Sequence, residues 1–363
     1  SSGREAIKKV LNEYAIEYKA MFDRQAPLAD QPKKMLSPDP KNIWMEDIGL
    51  IGLGSNAKAA SIAGDLVVQN ARVRAVGENA GGFKPISEKD LFDCEYWSLE
   101  QAKLGKGAAP KFQGKIVMIT GGSGTIGFTI AKAFSKLGAQ TILIDKDETS
   151  LKKAVESLGT GHGYLTLDVT SPDAAEQAML GSIQKFGGLD ILISNAGAAH
   201  AGPMLSISED DLRDAFELNF FSHYSFSKAA AKVFRNQNRG GQILFNISKQ
   251  AVNPGKNFGA YGMPKATTFF LMKQLALELG ANGIRVNGVN ADRIRSGLLT
   301  DDFISSRAKS RGVSESDYMA GNLLNKEVTA EHVADAFTSL ACAESTTGHV
   351  MTVDGGNIEA SLR

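Results

Sequence analysis

Ser248 stands 13 residues before Tyr261, and Lys265 follows Tyr261 by four, in the stretch NISKQAVNPGKNFGAYGMPK. Residues four apart share a helix face, so Lys265 is placed beside Tyr261. A nearby positive charge favours the ionised phenol and lowers a pKa that is ordinarily about 10. A tyrosine so placed gives and takes a proton near neutral pH. A Tyr-to-Lys spacing of four is ordinary on any helix. It becomes chemistry when a hydroxyl sits at the end of a preceding strand and a nucleotide-binding loop lies upstream, and this chain has both.

The loop is in KIVMITGGSGTIGFTIAKAFSKLGA, a strand that turns through glycines into a helix. Gly121, Gly124 and Gly127 are spaced GxxGxxG, with Ser123, Thr125 and Ile126 between them. Glycine lets the backbone turn tightly and approach a pyrophosphate, and the helix N-terminus adds free N–H groups. Asp145 ends the second strand, 24 residues after Gly121. A carboxylate there accepts hydrogen bonds from the ribose hydroxyls of NAD and repels the extra phosphate of NADP. Lys146 follows and softens that repulsion, and the expectation is NAD. Asp168 and Val169 end the third strand, placed to face the adenine. Asn195, Ala196 and Gly197 end the fourth, small enough for cofactor contact, with the Asn side chain able to pin the sheet.

Seven apolar runs must position these groups: 115–120, 140–145, 163–168, 189–194, 241–248, 284–290 and 349–354. Helical patterns separate them at 126–137, 148–157, 172–186, 209–236, 261–279 and 330–342. Continuous apolar strands alternating with helices imply an α/β fold, a Rossmann-type doubly wound parallel sheet of seven strands. Residues 1–110 read as a separate N-terminal α/β extension, and 111–363 as the NAD-binding catalytic domain. The extension carries helices expected at 5–24, 57–79 and 99–104, with Ser98 as a cap for the last. Strand and turn material lies between the first two. GKGAAPKFQG joins the two parts as a linker.

Composition excludes other classes. Forty basic and forty acidic residues give no net charge, so nothing points to nucleic acid or an anionic membrane. No apolar run approaches the roughly 18 residues that span a bilayer, and the first residues lack a signal peptide's apolar core. Two distant cysteines, Cys94 and Cys342, argue against a disulfide framework and for a reducing cytoplasm; both read as small buried side chains. The five histidines show no metal-ligand spacing, and no residue is assigned to a metal.

The motifs TGGSGTIG, Asp145, Asp168-Val169, SNAG, Asn219 in ELNFFSHY, FNIS, YGMPK and TVDGGN resemble, in order and spacing, the short-chain dehydrogenase/reductase family. The resemblance covers residues 114–359. It implies that Tyr261 is the catalytic acid/base, that Lys265 lowers its pKa and holds the ribose, and that Ser248 hydrogen-bonds the substrate oxygen. It also implies that Asn219 supports Lys265 through a water relay. Ile294 and Ser296 match positions that contact the nicotinamide amide, and the long helices over 209–236 and 261–279 imply a homodimer or homotetramer. The chain departs from the pattern in two places. Thr125 replaces the middle glycine of the commonest loop. Ala291-Asp292 replace a Pro-Gly pair, inside a loop charged by Asp292, Arg293 and Arg295. These charges either bind a polar substrate or cap the helix of the substrate loop at 297–325.

A narrower resemblance, through VNADRIRSGLL, TTGHVMTVDGGN and DLFDCEYWSLEQAKL, is to the dehydrogenase half of bifunctional rhamnulose-1-phosphate aldolase/alcohol dehydrogenases. It implies a link to lactaldehyde and makes residues 1–110 similar to the end of a class II aldolase part. That part has no histidine before His162 with which to build a zinc site. The expected activity is NAD(H)-dependent interconversion of a small hydroxy compound and its carbonyl. Two other readings stand beside it: a dinucleotide-binding scaffold without turnover, and a residual aldolase.

Overall fold

In the computed structural model, residues 2–98 and 108–357 are described. The contacts divide the chain into two units, Ser1–Pro110 and Lys111–Arg363. The helix expected at 99–104 lies outside the described residues.

The first unit contains α1 (Ser2–Gln25), an antiparallel pair β1 (Asn42–Met45) and β2 (Gly49–Gly52), α2 (Ala57–Asn79) and α3 (Glu88–Glu95). Asn56 caps α2 by accepting from the Ala59 amide at 2.9 Å, and Ser87 caps α3 through Asp90 at 3.1 Å. Its small core gathers Tyr18, Met21, Phe92 and Tyr96, and the Tyr18 hydroxyl bonds the Tyr96 hydroxyl at 2.8 Å. The expectation of two buried cysteines fails. Cys94 is exposed and Cys342 half-buried. On α3 only Phe92 is buried, and two residues further on is roughly 200° around the helix, so Cys94 points away.

The second unit is a seven-stranded parallel sheet. In chain order it runs β3 (Ile116–Thr120), α4 (Thr125–Lys136), β4 (Gln140–Asp145), α5 (Glu148–Leu158), β5 (Gly163–Thr166), α6 (Ala174–Phe186) and β6 (Ile191–Ser194). It continues with α7 (Glu209–Phe216), α8 (Ser222–Gln237), β7 (Gly241–Asn246), α9 (Gly259–Leu279), β8 (Ile284–Ala291), α10 (Asp301–Arg311), α11 (Glu315–Met319), α12 (Ala330–Cys342) and β9 (Val350–Val353). The spatial order is β5-β4-β3-β6-β7-β8-β9. Every residue of β3 is buried, because helices cover both faces. Val117 and Ile119 pack with Phe134 and Phe337 on one side, while Ile116 and Met118 pack with Phe226 and Met272 on the other. The chain winds one way from β3 to β5 and the other way from β6 to β9. A crevice therefore opens at the carboxyl ends of β3 and β6, where ligands bind in such sheets.

One expected helix is two. The pattern at 209–236 is interrupted by a π turn, Glu217–Phe221, between α7 and α8. Apolar periodicity alone does not show it, because apolar residues continue through the turn. No helix among the described residues is long and apolar enough to cross a membrane.

Candidate active site

A cleft of about 1320 Å³ runs along the carboxyl ends of the strands. Single small-molecule sites occupy about 300–1,000 Å³, so this one has room for a dinucleotide and a second molecule. At one end the chain leaves β3 through Gly121, whose φ of +63° favours glycine. A Cβ on Gly127 would lie 2.2 Å from the Gly121 carbonyl oxygen and 3.0 Å from Asn195 Nδ2. Helix α4 thus starts against the turn itself. Thr125, Ile126 and Gly127 line the cleft with Gly124 and Gly121, and first-turn amides have no intrahelical acceptor. A helix N-terminus is presented despite the absence of the middle glycine.

Asp145 lies at the end of β4 and lines the same cleft with Lys146. Its Oδ2 accepts from Ser123 Oγ at 2.6 Å and the Ser123 amide at 3.2 Å, and its Oδ1 accepts from the Lys146 amide at 2.8 Å. Ser123, expected among the cofactor contacts, is not part of the cleft wall; it orients Asp145. Asp168 and Val169 also line the cleft, in the loop after β5. Thr170 donates to Asp168 from its amide at 2.9 Å and its hydroxyl at 2.7 Å, which holds that carboxyl below its usual range, the amide contributing most.

Asn195 pins the sheet. Its Nδ2 donates to the Thr120 carbonyl at 2.9 Å, and the amides of Asn195 and Ala196 donate to Thr120 Oγ1 at 2.9 and 3.0 Å. Asn246 Nδ2 then donates to Asn195 Oδ1 at 2.9 Å, and Lys265 Nζ donates to the Asn246 carbonyl at 3.0 Å. One line of hydrogen bonds therefore connects the glycine turn to Lys265. Thr120 and Asn246 were not singled out in the sequence; both are last residues of strands, where Thr and Asn look like ordinary turn chemistry.

Ser248 follows β7, and α9 presents Tyr261 and Lys265 to the same part of the cleft. The three are 9%, 8% and 3% exposed. Lys265 Nζ lies 5.9 Å from the centre of the Tyr261 ring. The expectation that Lys265 pulls the phenol down is not met in this arrangement. Burial pushes the Tyr261 phenol up, and the hydrogen bond with Ser248 works against that rise. Burial also lowers Lys265 to about 8. Desolvation disfavours each charged form, and at this separation it outweighs their attraction.

The lysine shift has a thermodynamic consequence. Lys265 moves from 10.5 to about 8 on folding, so between those values the unfolded chain holds more protons. Stability then rises with pH across that window and loses this contribution as pH falls to about 8. At 1.36 kcal/mol per unit the span is about 3 kcal/mol. Denaturant melts of the wild type and Lys265→Met are expected to diverge by an amount of that order between pH 8 and 10.5, the wild type gaining as pH rises. A constant difference would contradict the assigned burial of the charge.

Asn219 sits in the π turn, fully buried rather than in the cleft wall. Its Nδ2 donates to the Ala198 carbonyl at 3.0 Å and the Ala215 carbonyl at 3.1 Å, while its own carbonyl accepts from Thr268 Oγ1 at 2.7 Å. Its Oδ1 is buried without a partner. A Cβ on Gly197 would stand 2.8 Å from that Oδ1 and 3.4 Å from Lys265 Nζ. Gly197 therefore keeps a small space on which the amide oxygen and the lysine converge. His223, four residues on, is buried with Nδ1 2.6 Å from Ser194 Oγ. Burial first, and then the charge of Lys265, hold it well below the usual histidine range, so it is neutral at pH 7.

The charges of the loop after β8 are paired within the protein, and Asp292 and Arg293 also line the cleft. Asp292 binds Lys249 at 3.1 Å, Arg293 at 3.5 Å and Asn357 Nδ2 at 2.6 Å. Arg293, at φ +53°, donates to the Tyr318 carbonyl at 2.7 Å. Arg295 binds Asp301, in the first turn of α10, and Glu327 at 2.8 Å. These groups tie the segment carrying α10 and α11 to the sheet. Ile294 and Ser296 line the cleft.

Comparison with known proteins decides the family. Residues 121–357 match the family described as enoyl-(acyl carrier protein) reductase. The chain is 32% identical over 253 residues to secoisolariciresinol dehydrogenase of Forsythia intermedia, covering 68% of this chain and 90% of that one. The chain belongs to the short-chain dehydrogenase/reductase family. A solved short-chain dehydrogenase/reductase from Mycobacterium marinum superposes with a TM-score of 0.62 at 25% identity, over 68% of this chain and 96% of that one. Residues 1–104 match a second family, the class II aldolase second domain. Both parts are paired in the uncharacterized oxidoreductase YuxG of Bacillus subtilis, 30% identical over 365 residues, 96% of this chain and 52% of that protein. The chain thus spans about half the length of that relative. Members of the short-chain dehydrogenase/reductase family interconvert alcohols and carbonyls with nicotinamide dinucleotides, and this chain is a family oxidoreductase.

Proposed function

We propose that the protein is an NAD(H)-dependent oxidoreductase that interconverts a small hydroxylated compound and its carbonyl, with Tyr261 as acid/base. The observation that carries this reading is the convergence of Ser248, Tyr261 and Lys265 on a cleft whose other end is the Gly121 turn and Asp145. The cleft fits a dinucleotide: a Cβ at Gly127 would fill the turn, and an oriented carboxylate stands where a ribose would lie. The first turn of α4 would hold the phosphates, Asp145 the adenosine ribose, and Ile294 and Ser296 the nicotinamide. When bound, the nicotinamide gives or accepts the hydride.

The chain's own residues do the rest. Ser248 donates a hydrogen bond to the reacting oxygen and stabilises charge that develops there. Tyr261 gives its proton to that oxygen in reduction and takes it in oxidation. The Lys265 ammonium, anchored on the Asn246 carbonyl, favours the phenolate that remains after the proton has left. The space between Asn219 Oδ1 and Lys265 suits a water that refills the proton.

Asp145 makes NAD the preferred form. NADH is expected to bind at least about tenfold more tightly than NADPH, a difference of roughly 1.4 kcal/mol, measured by fluorescence titration of each. A panel of small diols, lactaldehyde, sugar alcohols and sugar acids, followed by nicotinamide absorbance with both coenzymes, tests turnover. Tight NADPH binding with no response to NADH would overturn the cofactor assignment. Phe221, Tyr224, Phe270 and Leu277 are exposed on and beside α8 and α9, which supports self-association through these helices.

A further inference from the structure

We infer that Arg307 is an anion receptor for the substrate, so that the compound turned over carries a carboxylate or a phosphate close to the reacting carbon. This deepens the oxidoreductase reading and rests on it for the identity of the reacting carbon.

Arg307 lies on α10 and lines the cleft. Its guanidinium carbon stands 5.3 Å from the centre of the Phe258 ring and 5.7 Å from that of Phe303. The two rings meet edge to face at 5.8 Å and 87°. Phe258 directly precedes α9, and its carbonyl accepts from the Tyr261 amide at 3.1 Å. The guanidinium is therefore packed on the residue that sets the first turn of the helix carrying Tyr261. Arg307, Ser248 and Tyr261 line the same cleft, so an anion held by Arg307 shares that cleft with an oxygen at Tyr261 and Ser248.

Arg307 differs from Lys249, Arg293 and Arg295 in having no charged partner among the described residues. Lys249 and Arg293 are paired with Asp292, and Arg295 with Asp301 and Glu327. Among the described residues the Arg307 side chain makes no ion pair and no hydrogen bond, and its Nε is buried without an acceptor. A buried Nε–H without an acceptor costs free energy. Stacking on two rings fixes its plane and leaves its donors for something else. A planar fork of N–H donors matches a carboxylate or phosphate in two-point contact. A neutral diol would leave those donors unanswered.

The test is calorimetric titration of the NADH-saturated protein with three probes: a short 2-oxo acid, its neutral methyl ester, and a phosphorylated hydroxyketone of similar length. Wild type, Arg307→Lys and Arg307→Met are compared, each checked for fold by circular dichroism. In the wild type one anion is expected to bind at least about tenfold more tightly than the ester; which anion does so separates carboxylate from phosphate. Arg307→Met is expected to erase that preference with the NADH Kd unchanged, and Arg307→Lys to keep part of it. Equal binding of ester and anions by the wild type, no binding of either anion, or an undiminished preference in Arg307→Met would each overturn the proposal. So would a loss of NADH affinity in Arg307→Met as large as the loss of anion affinity, because Arg307 would then serve the cofactor. Failure of the wild type to bind NADH would instead strike the dinucleotide reading. The same titrations on the cofactor-free protein would then still show whether Arg307 takes an anion.

Discussion

Tyr261→Phe lowers kcat by about 10²–10⁴-fold, the contribution of one positioned acid/base, and leaves the NADH Kd within about twofold. The phenol oxygen is the group removed, and its hydrogen bond is with Ser248. The ring is 8% exposed and phenylalanine keeps its packing, so the fold and the glycine turn are undisturbed. Lys265 keeps its bond to the Asn246 carbonyl and so its position. Steady-state rates beside NADH titrations separate the two effects. A variant with ordinary kcat would remove Tyr261 from the chemistry, and one that lost both rate and cofactor would make it a structural residue.

Gly127→Val abolishes dinucleotide binding, with NADH affinity down by more than about 100-fold, roughly 2.8 kcal/mol at 1.4 per decade. The added Cβ would stand 2.2 Å from a backbone oxygen at Gly121 and 3.0 Å from Asn195 Nδ2. Backbone cannot rotate aside as a side chain can, so the turn or the start of α4 must shift. Asn195 also bonds Thr120 and Asn246, so the shift travels toward Lys265. Overpacking of this kind typically costs 1–3 kcal/mol of stability, and a lowered melting midpoint should accompany the lost titration signal. Unaltered NADH binding in a folded Gly127→Val protein would mean that the phosphates lie elsewhere.

The sheet was legible in the sequence because its strands are continuous apolar runs and its helices keep a 3.6-residue period; each of the seven runs lies at a strand of the structure. Gly127, in the first turn of α4, and Asp145, at the end of β4, were singled out by local sequence order, and both line the cleft. The π turn at Asn219 was not, since Leu218, Phe220 and Phe221 continue the apolar pattern through it. The role of Arg295 depends on Glu327, 32 residues away, and no local pattern carries that pairing. Helix α10, DDFISSRAKSR, was expected in the 297–325 loop but without bounds, because in this polar stretch only Ile304 and Ala308 are buried. The protonation balance at Tyr261 and Lys265 was misread for a related reason. Spacing shows that two charges are neighbours but not how much water each has lost, and here burial decides the direction.

The central claim is hydride transfer in the cleft that joins the Gly121 turn to Tyr261. Reduced NAD carrying deuterium at the transferred position, mixed with the protein and a responsive carbonyl substrate, tests it by mass spectrometry of the product. The account predicts one deuterium on the new carbinol carbon, formed by the wild type and lost with Tyr261→Phe. Product without deuterium, or with deuterium formed equally well by Tyr261→Phe, would contradict it.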